Sequence, residues 1–404
     1  MKFNVIIPTR ERADTLYHCL RTVVAQQYEN LNIIVSDNYS QDRTREVVTS
    51  FSDSRIKYLN TGKRISMSHN WEFALNHVTD GWVTFLGDDD GLLPGGLAKV
   101  NRVINETGCQ AVTSAWCYYF WPGVTNSQNQ LSIPVTAGIE LRDAKKWLFK
   151  VMRGDALYRD LPWLYTGGFA ESALINSAKN RCGNFYLSRV PDIYSAVALA
   201  SITDTYVFMK DPVSVAGISS HSTGASSLEQ GTNQISLQKY FSEENMPFHS
   251  SLGSGRTKSI PLLVYECYLQ SMHLHHDFLK VNMADQLALA LSHSSIWKPE
   301  HYDEIREYCN DVARLNDISI KNVEKKSKFI KFRMWRLYLY YIRKQFQEIT
   351  INAQEFNIKD IHGAAFLSNA LYVFNKQLKY WCWRNLIRFM LKILKIKSKK
   401  LEAS

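Results

Sequence analysis

No stretch of about 18 uninterrupted apolar residues occurs in the 404-residue chain, so a helix that spans a membrane is not expected. Its first ten residues, MKFNVIIPTR, hold only a short apolar run and no small-residue cleavage site, which argues against a signal peptide. Cysteine is sparse. The seven (Cys19, Cys109, Cys117, Cys182, Cys267, Cys309, Cys382) are odd in number, scattered and never paired as CxxC, which fits a reducing cytoplasm better than a disulfide framework. There is no convincing internal repeat or low-complexity tract, and glycine is missing between Arg256 and His362. Acidic excess is lacking too: 48 Lys and Arg face 38 Asp and Glu, a formal charge of +10. Nine of those cations lie between Lys376 and Lys400, a stretch without a single acid, and removing them leaves the remainder near +1. Such a chain is a near-neutral globule with a basic tail, not a generally basic nucleic-acid binder.

With 45% hydrophobic and 21% charged residues, the chain has the composition of an ordinary globular protein, and its length suggests two or three domains. The first hundred residues alternate apolar runs with helical spacing. Strands are expected at Asn4–Ile7, Leu31–Val35, Ile56–Leu59 and Trp82–Leu86, and helices at Ala13–Gln27, Asp42–Phe51 and Ser66–Val78. That order predicts an α/β domain with a mostly parallel sheet covered on both faces, whose ligands collect at the carboxyl ends of the strands. Three polar clusters fall there: Pro8-Thr9-Arg10, Ser36-Asp37-Asn38 and Gly87-Asp88-Asp89-Asp90. Residues 1–225 are expected to form this domain, 226–256 a polar linker, and 257–404 a helical C-terminal region.

The acidic triplet is the sharpest feature. Three successive carboxylates at a strand end repel one another unless a positive group binds them. A divalent cation shared with substrate phosphates is the natural counter-charge, since Mg²⁺ favours one or two carboxylates plus phosphate oxygens. A solvated acidic turn is the plain alternative. Asp37 could accept the imide N–H of a pyrimidine base or bond to a ribose, or close an Asx turn. Pro8 and Thr9 could pack on a base, and Arg12 and Arg64 could face phosphates, although each is by itself as compatible with a turn or a surface charge.

The segments Val5–Arg12, Ile33–Asp42 and Phe85–Asp90, in that order and spacing, resemble a family 2 glycosyltransferase. The resemblance covers about the first 225 residues. It implies a GT-A fold, a nucleoside-diphosphate sugar donor (most readily a UDP-sugar), a divalent cation (Mg²⁺ or Mn²⁺) and an inverting mechanism. The triplet would occupy the family's DxD position, although the family often places Asp where this chain has Gly87. On that alignment Asp89 is favoured as the metal contact, with Asp90 adjacent and Asp88 toward the ribose. Val190-Pro191-Asp192-Ile193-Tyr194, opening a small-residue helix, resembles the place where the family presents its catalytic base, so Asp192 is expected to take the acceptor proton, with Asp160 and Glu171 in reserve. A helix cap is the structural alternative for Asp192. The segment from Gly217 to Gly224 resembles a late loop that closes over the donor diphosphate, which makes His221 a candidate ligand of metal or diphosphate.

Two basic-aromatic segments close the chain, Lys325–Phe346 and Lys376–Lys400. In the second, Arg384, Arg388, Lys392, Lys395 and Lys399 share one helical stripe, with apolar residues over the rest and Trp381 and Trp383 nearby. That is the pattern of an interfacial helix on an anionic leaflet, with a packed helix or a nucleic-acid arm as alternatives; no nucleic-acid signature supports the last. The family resemblance, together with the basic tail, implies an inverting, metal-dependent transferase, peripheral on the cytoplasmic face of a bacterial cell membrane, that acts on a lipid-linked saccharide in O-antigen or capsule-type synthesis. A non-catalytic scaffold built on a degenerate transferase domain, or a nucleotidyltransferase, are the rival readings. The latter lacks a glycine-rich phosphate loop after the first strand.

Overall fold

A computed structural model of the chain describes all residues except 125–126, 221–242, 256, 275–279, 346 and 378–404, and the side chains of 344 and 345. The elements run β1 (Phe3–Thr9), α1 (Ala13–Val24), β2 (Leu31–Asp37), α2 (Thr44–Thr49), β3 (Ile56–Asn60), α3 (Met67–Leu75), β4 (Trp82–Phe85), β5 (Gly91–Leu92) and α4 (Gly96–Thr107). They continue as β6 (Ala111–Ser114), β7 (Cys117–Phe120), β8 (Gln130–Pro134), β9 (Ile139–Asp143), α5 (Ala144–Met152), β10 (Gly168–Glu171), α6 (Ser172–Cys182), α7 (Pro191–Ile202), β11 (Thr205–Met209) and β12 (Ser214–Ile218). The C-terminal region adds α8 (Ile260–Gln270), α9 (Met283–Trp297), α10 (Tyr302–Leu315), α11 (Ile320–Gln345), β13 (Glu348–Asn352) and a helix α12 over 361–377.

Eight strands form the main sheet in the order β3-β2-β1-β4-β10-β6-β11-β9. The first four are parallel, as their alternation with helices predicts, while β10 enters antiparallel between β4 and β6. Both faces are dry. Ile6, Ile34, Val83 and Phe85 enter one core cluster, and Val5, Ile7, Ile33, Val35 and Trp82 enter the other. Burial of successive residues on opposite faces is why these strands read as unbroken apolar runs. The architecture is the α/β sheet with flanking helices, followed by a mainly helical C-terminal region, that the sequence predicts.

A second sheet of five strands, β13-β8-β7-β12-β5, lies behind the acidic loop. Its edge strand β13 comes from the C-terminal region, pairing antiparallel with β8 from Glu348↔Pro134 to Asn352↔Gln130. The region after residue 260 is thus not wholly helical. The alternating Glu-Ile-Thr-Ile-Asn becomes a strand only because β8, more than 200 residues earlier, offers it a ladder. The helices α8, α9 and α10 share the core that underlies the main sheet: Leu262, Leu287, Leu291, Ile305 and Val312 belong to the same cluster as Phe85 and Ile193. Helix α12 packs on the second sheet through Ile361, Ala364, Ala365 and Tyr372, and Lys376 reaches Asp211 at 2.9 Å. The rest of the basic tail, including Trp381 and Trp383, lies outside the described residues. Among the described residues no helix is long and apolar enough to cross a membrane.

Candidate active site

The parallel register brings the carboxyl ends of β1, β2 and β4 together: Thr9 pairs with Asp37, and the chain after Phe85 turns beside Ile6. The turn Gly87–Asp90 leaves β4 there, closed by the Asp90 N–H donating to the Gly87 carbonyl at 3.0 Å. Its three carboxylates are all buried, yet they do different things.

Asp90 faces inward and ties the turn to the protein. It accepts from the Gly87 N–H at 3.1 Å, the Gly217 N–H at 2.7 Å and the Thr166 hydroxyl. Burial, then the neighbouring Asp89, push its carboxyl up to about 7. Asp88 accepts from the Thr9 hydroxyl at 2.8 Å and the Arg12 guanidinium at 2.8 Å. Burial pushes Asp88 above the usual carboxylate range even against the pull of Arg12. Asp89 accepts from the Ser219 hydroxyl on Oδ2 at 2.7 Å, while its main-chain carbonyl accepts from the Trp121 indole N–H at 3.0 Å. All three carboxylates accept hydrogen bonds from the protein: Asp88 from Thr9 and Arg12, Asp90 from Gly87, Thr166 and Gly217, and Asp89 from Ser219, while Asp89 is also fixed through its main-chain carbonyl. Among the described residues no three His, Cys, Asp or Glu side chains are grouped to hold a metal by themselves. The donor set suits a cation that draws most of its ligands from a diphosphate.

Two glycines are required by this packing. A Cβ on Gly217 would lie 1.8 Å from the Asp89 carbonyl oxygen, and one on Gly87 would lie 2.7 Å from both Asp90 Oδ2 and the Tyr165 hydroxyl. The second contact explains physically why glycine stands where Asp is common in the resembled family: Tyr165 occupies the space. Gly217→Ala should displace the acidic turn and lower the melting temperature by several degrees, the scale of an overpacked buried contact. Unchanged thermal unfolding and activity in this variant would contradict the packing described.

Asp192 sits in the first turn of α7, after Pro191 at the position that needs no N–H. The Ser195 hydroxyl donates to the Asp192 carbonyl at 2.8 Å and accepts from the Leu164 N–H at 3.0 Å, which fastens this helix end to the aromatic loop. Burial raises the Asp192 carboxyl above its ordinary value, opposed by the helix-end N–H groups, Arg159 and the Tyr158 hydroxyl. Asp192, Asp88, Asp89 and Asp90 line one cavity of about 840 Å³, with Pro8, Thr9 and Arg12 at one end and Trp116, Tyr118, Trp163 and Tyr165 along its wall. That volume suits a sugar nucleotide plus part of an acceptor. Leu289, His293, Trp297, Met334 and Leu337 of the C-terminal helices complete the wall. Burial, then Lys298, push the His293 imidazole down to about 4, so that side chain is neutral at pH 7.

The other sequence candidates lie elsewhere. Asp37 is 1% exposed; it accepts from the Ser40 N–H at 2.9 Å, the Tyr58 hydroxyl at 2.5 Å and Asn60 at 3.2 Å, and its neighbour Asn38 faces the cavity. Arg64 pairs with Glu11 at 3.3 Å on the surface. Arg12, by contrast, lines the cavity and pairs with Asp88 at 2.8 Å. Asp160 is held by the Leu157 N–H and the Tyr341 hydroxyl and lines a separate recess with Arg333 and Arg336. Glu171 pairs with Trp82 at the start of β4, the sheet edge opposite the acidic turn. His221 lies outside the described residues. Residues the sequence did not single out are Tyr158, Thr166 and Ser219, whose only signal is proximity in space.

Residues 4–162 match the family model "Glycosyl transferase family 2". Over 108 residues the chain is 38% identical to a GalNAc(5)-diNAcBac-PP-undecaprenol beta-1,3-glucosyltransferase of Campylobacter jejuni, covering 26% of this chain and 35% of that protein. It is 32% identical over 87 residues to the UDP-Glc:alpha-D-GlcNAc-diphosphoundecaprenol beta-1,3-glucosyltransferase WfgD of Escherichia coli, covering 22% and 34%. The match thus spans about a third of the length of these curated relatives. Among solved structures, S. aureus TarS 1-349 in complex with UDP-GlcNAc aligns with a TM-score of 0.44 and 15% identity, over 83% of this chain and 92% of that one.

Proposed function

We propose that this protein, whose residues 4–162 match the family 2 glycosyl transferase model, is an inverting, metal-dependent transferase. It moves a hexosyl or N-acetylhexosaminyl group from a nucleoside-diphosphate donor, a UDP-sugar, to a hydroxyl of a lipid-linked saccharide in bacterial surface polysaccharide synthesis. The observation that carries this reading is that Asp89, at the sheet edge, and Asp192, with its raised carboxyl, open into the same cavity. The acceptor reading is supported by the apolar wall from α9 and α11 and by the diphosphoundecaprenol acceptors named for both relatives. The place of action would be the cytoplasmic face of the cell membrane, with the basic C-terminal segment on its anionic lipids.

In the transfer, the acceptor oxygen attacks the anomeric carbon from the face opposite the diphosphate. Its proton passes to a carboxylate oxygen of Asp192, and the bond from carbon to diphosphate oxygen breaks with its electron pair on the diphosphate. Asp89 would hold a divalent cation shared with that diphosphate, which supplies charge neutralisation to the leaving group. Trp116, Trp163 and Tyr165 offer flat apolar surface for sugar rings and exclude water around Asp192. Incubating the full chain with nucleotide-sugars, Mn²⁺ and a diphospholipid-linked sugar tests this directly: a product of inverted configuration is expected. Release of pyrophosphate from a nucleoside triphosphate, or no turnover of any donor, would refute it.

The pH dependence has a definite sign. Asp192 works ionised, so kcat/KM should rise with pH through its raised pKa. The Tyr158 hydroxyl bonds to the charged form and lowers that pKa. Tyr158→Phe should therefore move the acidic limb to higher pH. A limb that stays in place would mean that Asp192 does not set it.

A further inference from the structure

Helix α11 has two unlike faces. Val323 and Met334 are buried, and Met334 and Leu337 form part of the cavity wall. On the other side four aromatic rings stand in solvent: Phe329 is 74% exposed, Phe332 76%, Trp335 46% and Tyr340 59%. At 100° per residue they fall within an arc of about 140°, centred nearly opposite Met334. Among them the exposed cations Lys325, Lys328, Arg336 and Arg343 interleave. From Lys325 to Gln347 the chain carries eight Lys and Arg and no acid. A row of solvent-facing rings this dense marks a contact surface.

We propose that this face of α11 docks on an anionic phospholipid bilayer, with the helix lying in the interfacial plane. Charge selects this occupant. A second copy of the chain would set the four cations of this face, Lys325, Lys328, Arg336 and Arg343, against their like, whereas anionic headgroups neutralise them while the rings settle at headgroup depth. The consequence for the site is geometric. The helix is about 10 to 12 Å across, and its inner face walls the cavity that Asp192 also lines, so the bilayer surface would lie about one helix from that cavity wall. A saccharide carried on a lipid then needs only a short rise to reach it. The proposal does not depend on which donor or acceptor is used, because vesicle binding requires no turnover.

The test is flotation of the full-length protein with phosphatidylcholine vesicles, with and without about 30% phosphatidylglycerol, the range in which surface potential is appreciable. Wild type should float with the anionic vesicles and lose binding as salt rises. Full-length F329S/F332S/W335S should bind about tenfold or more weakly, as expected when buried apolar area is lost, with thermal unfolding and donor hydrolysis in solution unchanged. Because this variant could perturb packing, W335F gives an independent reading: brominated lipids should quench wild-type fluorescence by a larger fraction than that of W335F. Equal vesicle binding by wild type and the triple variant would overturn the proposal. So would equal quenching of wild type and W335F. A lipid-free wild-type dimer that the triple variant abolishes would assign the face to a second copy and refute the bilayer.

Discussion

Asp192→Asn is expected to cut turnover by about 10²-fold or more, the scale of a lost general base, equivalent to about 3 kcal/mol or more of barrier. Donor affinity should stay within about twofold of wild type, since the change removes an interaction made chiefly in the transition state. The amide keeps the size and helix-end position of the carboxylate but cannot take a proton. Stability supplies the control. Burial raises the Asp192 carboxyl in the folded state, so the folded protein binds more protons than the unfolded chain between the ordinary carboxylate pKa and the raised one. Stability from this group is fully present below that window and is lost as pH rises through it. At neutral pH the ionised group therefore costs stability, and Asp192→Asn should melt at or above the wild-type temperature. A variant that is both inactive and less stable would point to a structural role. One that is stable and nearly as active as wild type would dismiss Asp192 as the base.

The parts of this site that lie in one buried strand, or directly after it, were legible in the sequence. The strands β1 to β4 announce themselves because both faces of the sheet are dry, and the acidic turn follows β4 directly. The helix start that carries Asp192 was legible because Pro191 and the small residues behind it mark it. The division of labour within Asp88, Asp89 and Asp90 was not. It depends on Thr166, Gly217 and Ser219, which reach the turn from 76 to 130 residues away. Tyr158 and the C-terminal side of the cavity wall are hidden for the same reason. So is β13, a strand defined by a partner rather than by its own five residues. Asp37 reads as a ligand-facing end of β2, yet its oxygens are occupied by Ser40, Tyr58 and Asn60.

Asp89→Ala is the second large effect, expected to lower transfer by about 10²- to 10³-fold, the loss typical of one charge-stabilising group. The turn itself should survive. The Asp89 carbonyl still accepts from Trp121, and Asp88 and Asp90 keep their partners. Removing one carboxylate from a buried trio also relieves like-charge repulsion, since the Asp89 charge helps to raise the Asp90 carboxyl. Without added cation the variant should therefore melt no lower than wild type. The difference appears when ligands are added. Wild type should gain thermal stability from Mn²⁺ together with UDP, by the mass-action linkage of any ligand that binds only the folded state. Asp89→Ala should lose most of that gain, whereas Asp90→Asn should retain it if Asp90 serves only to hold the loop. A full Mn²⁺-dependent shift in Asp89→Ala, with transfer intact in excess chelator, would remove the cation from this site and leave the charge on the departing diphosphate to be met by Arg12 and the main chain.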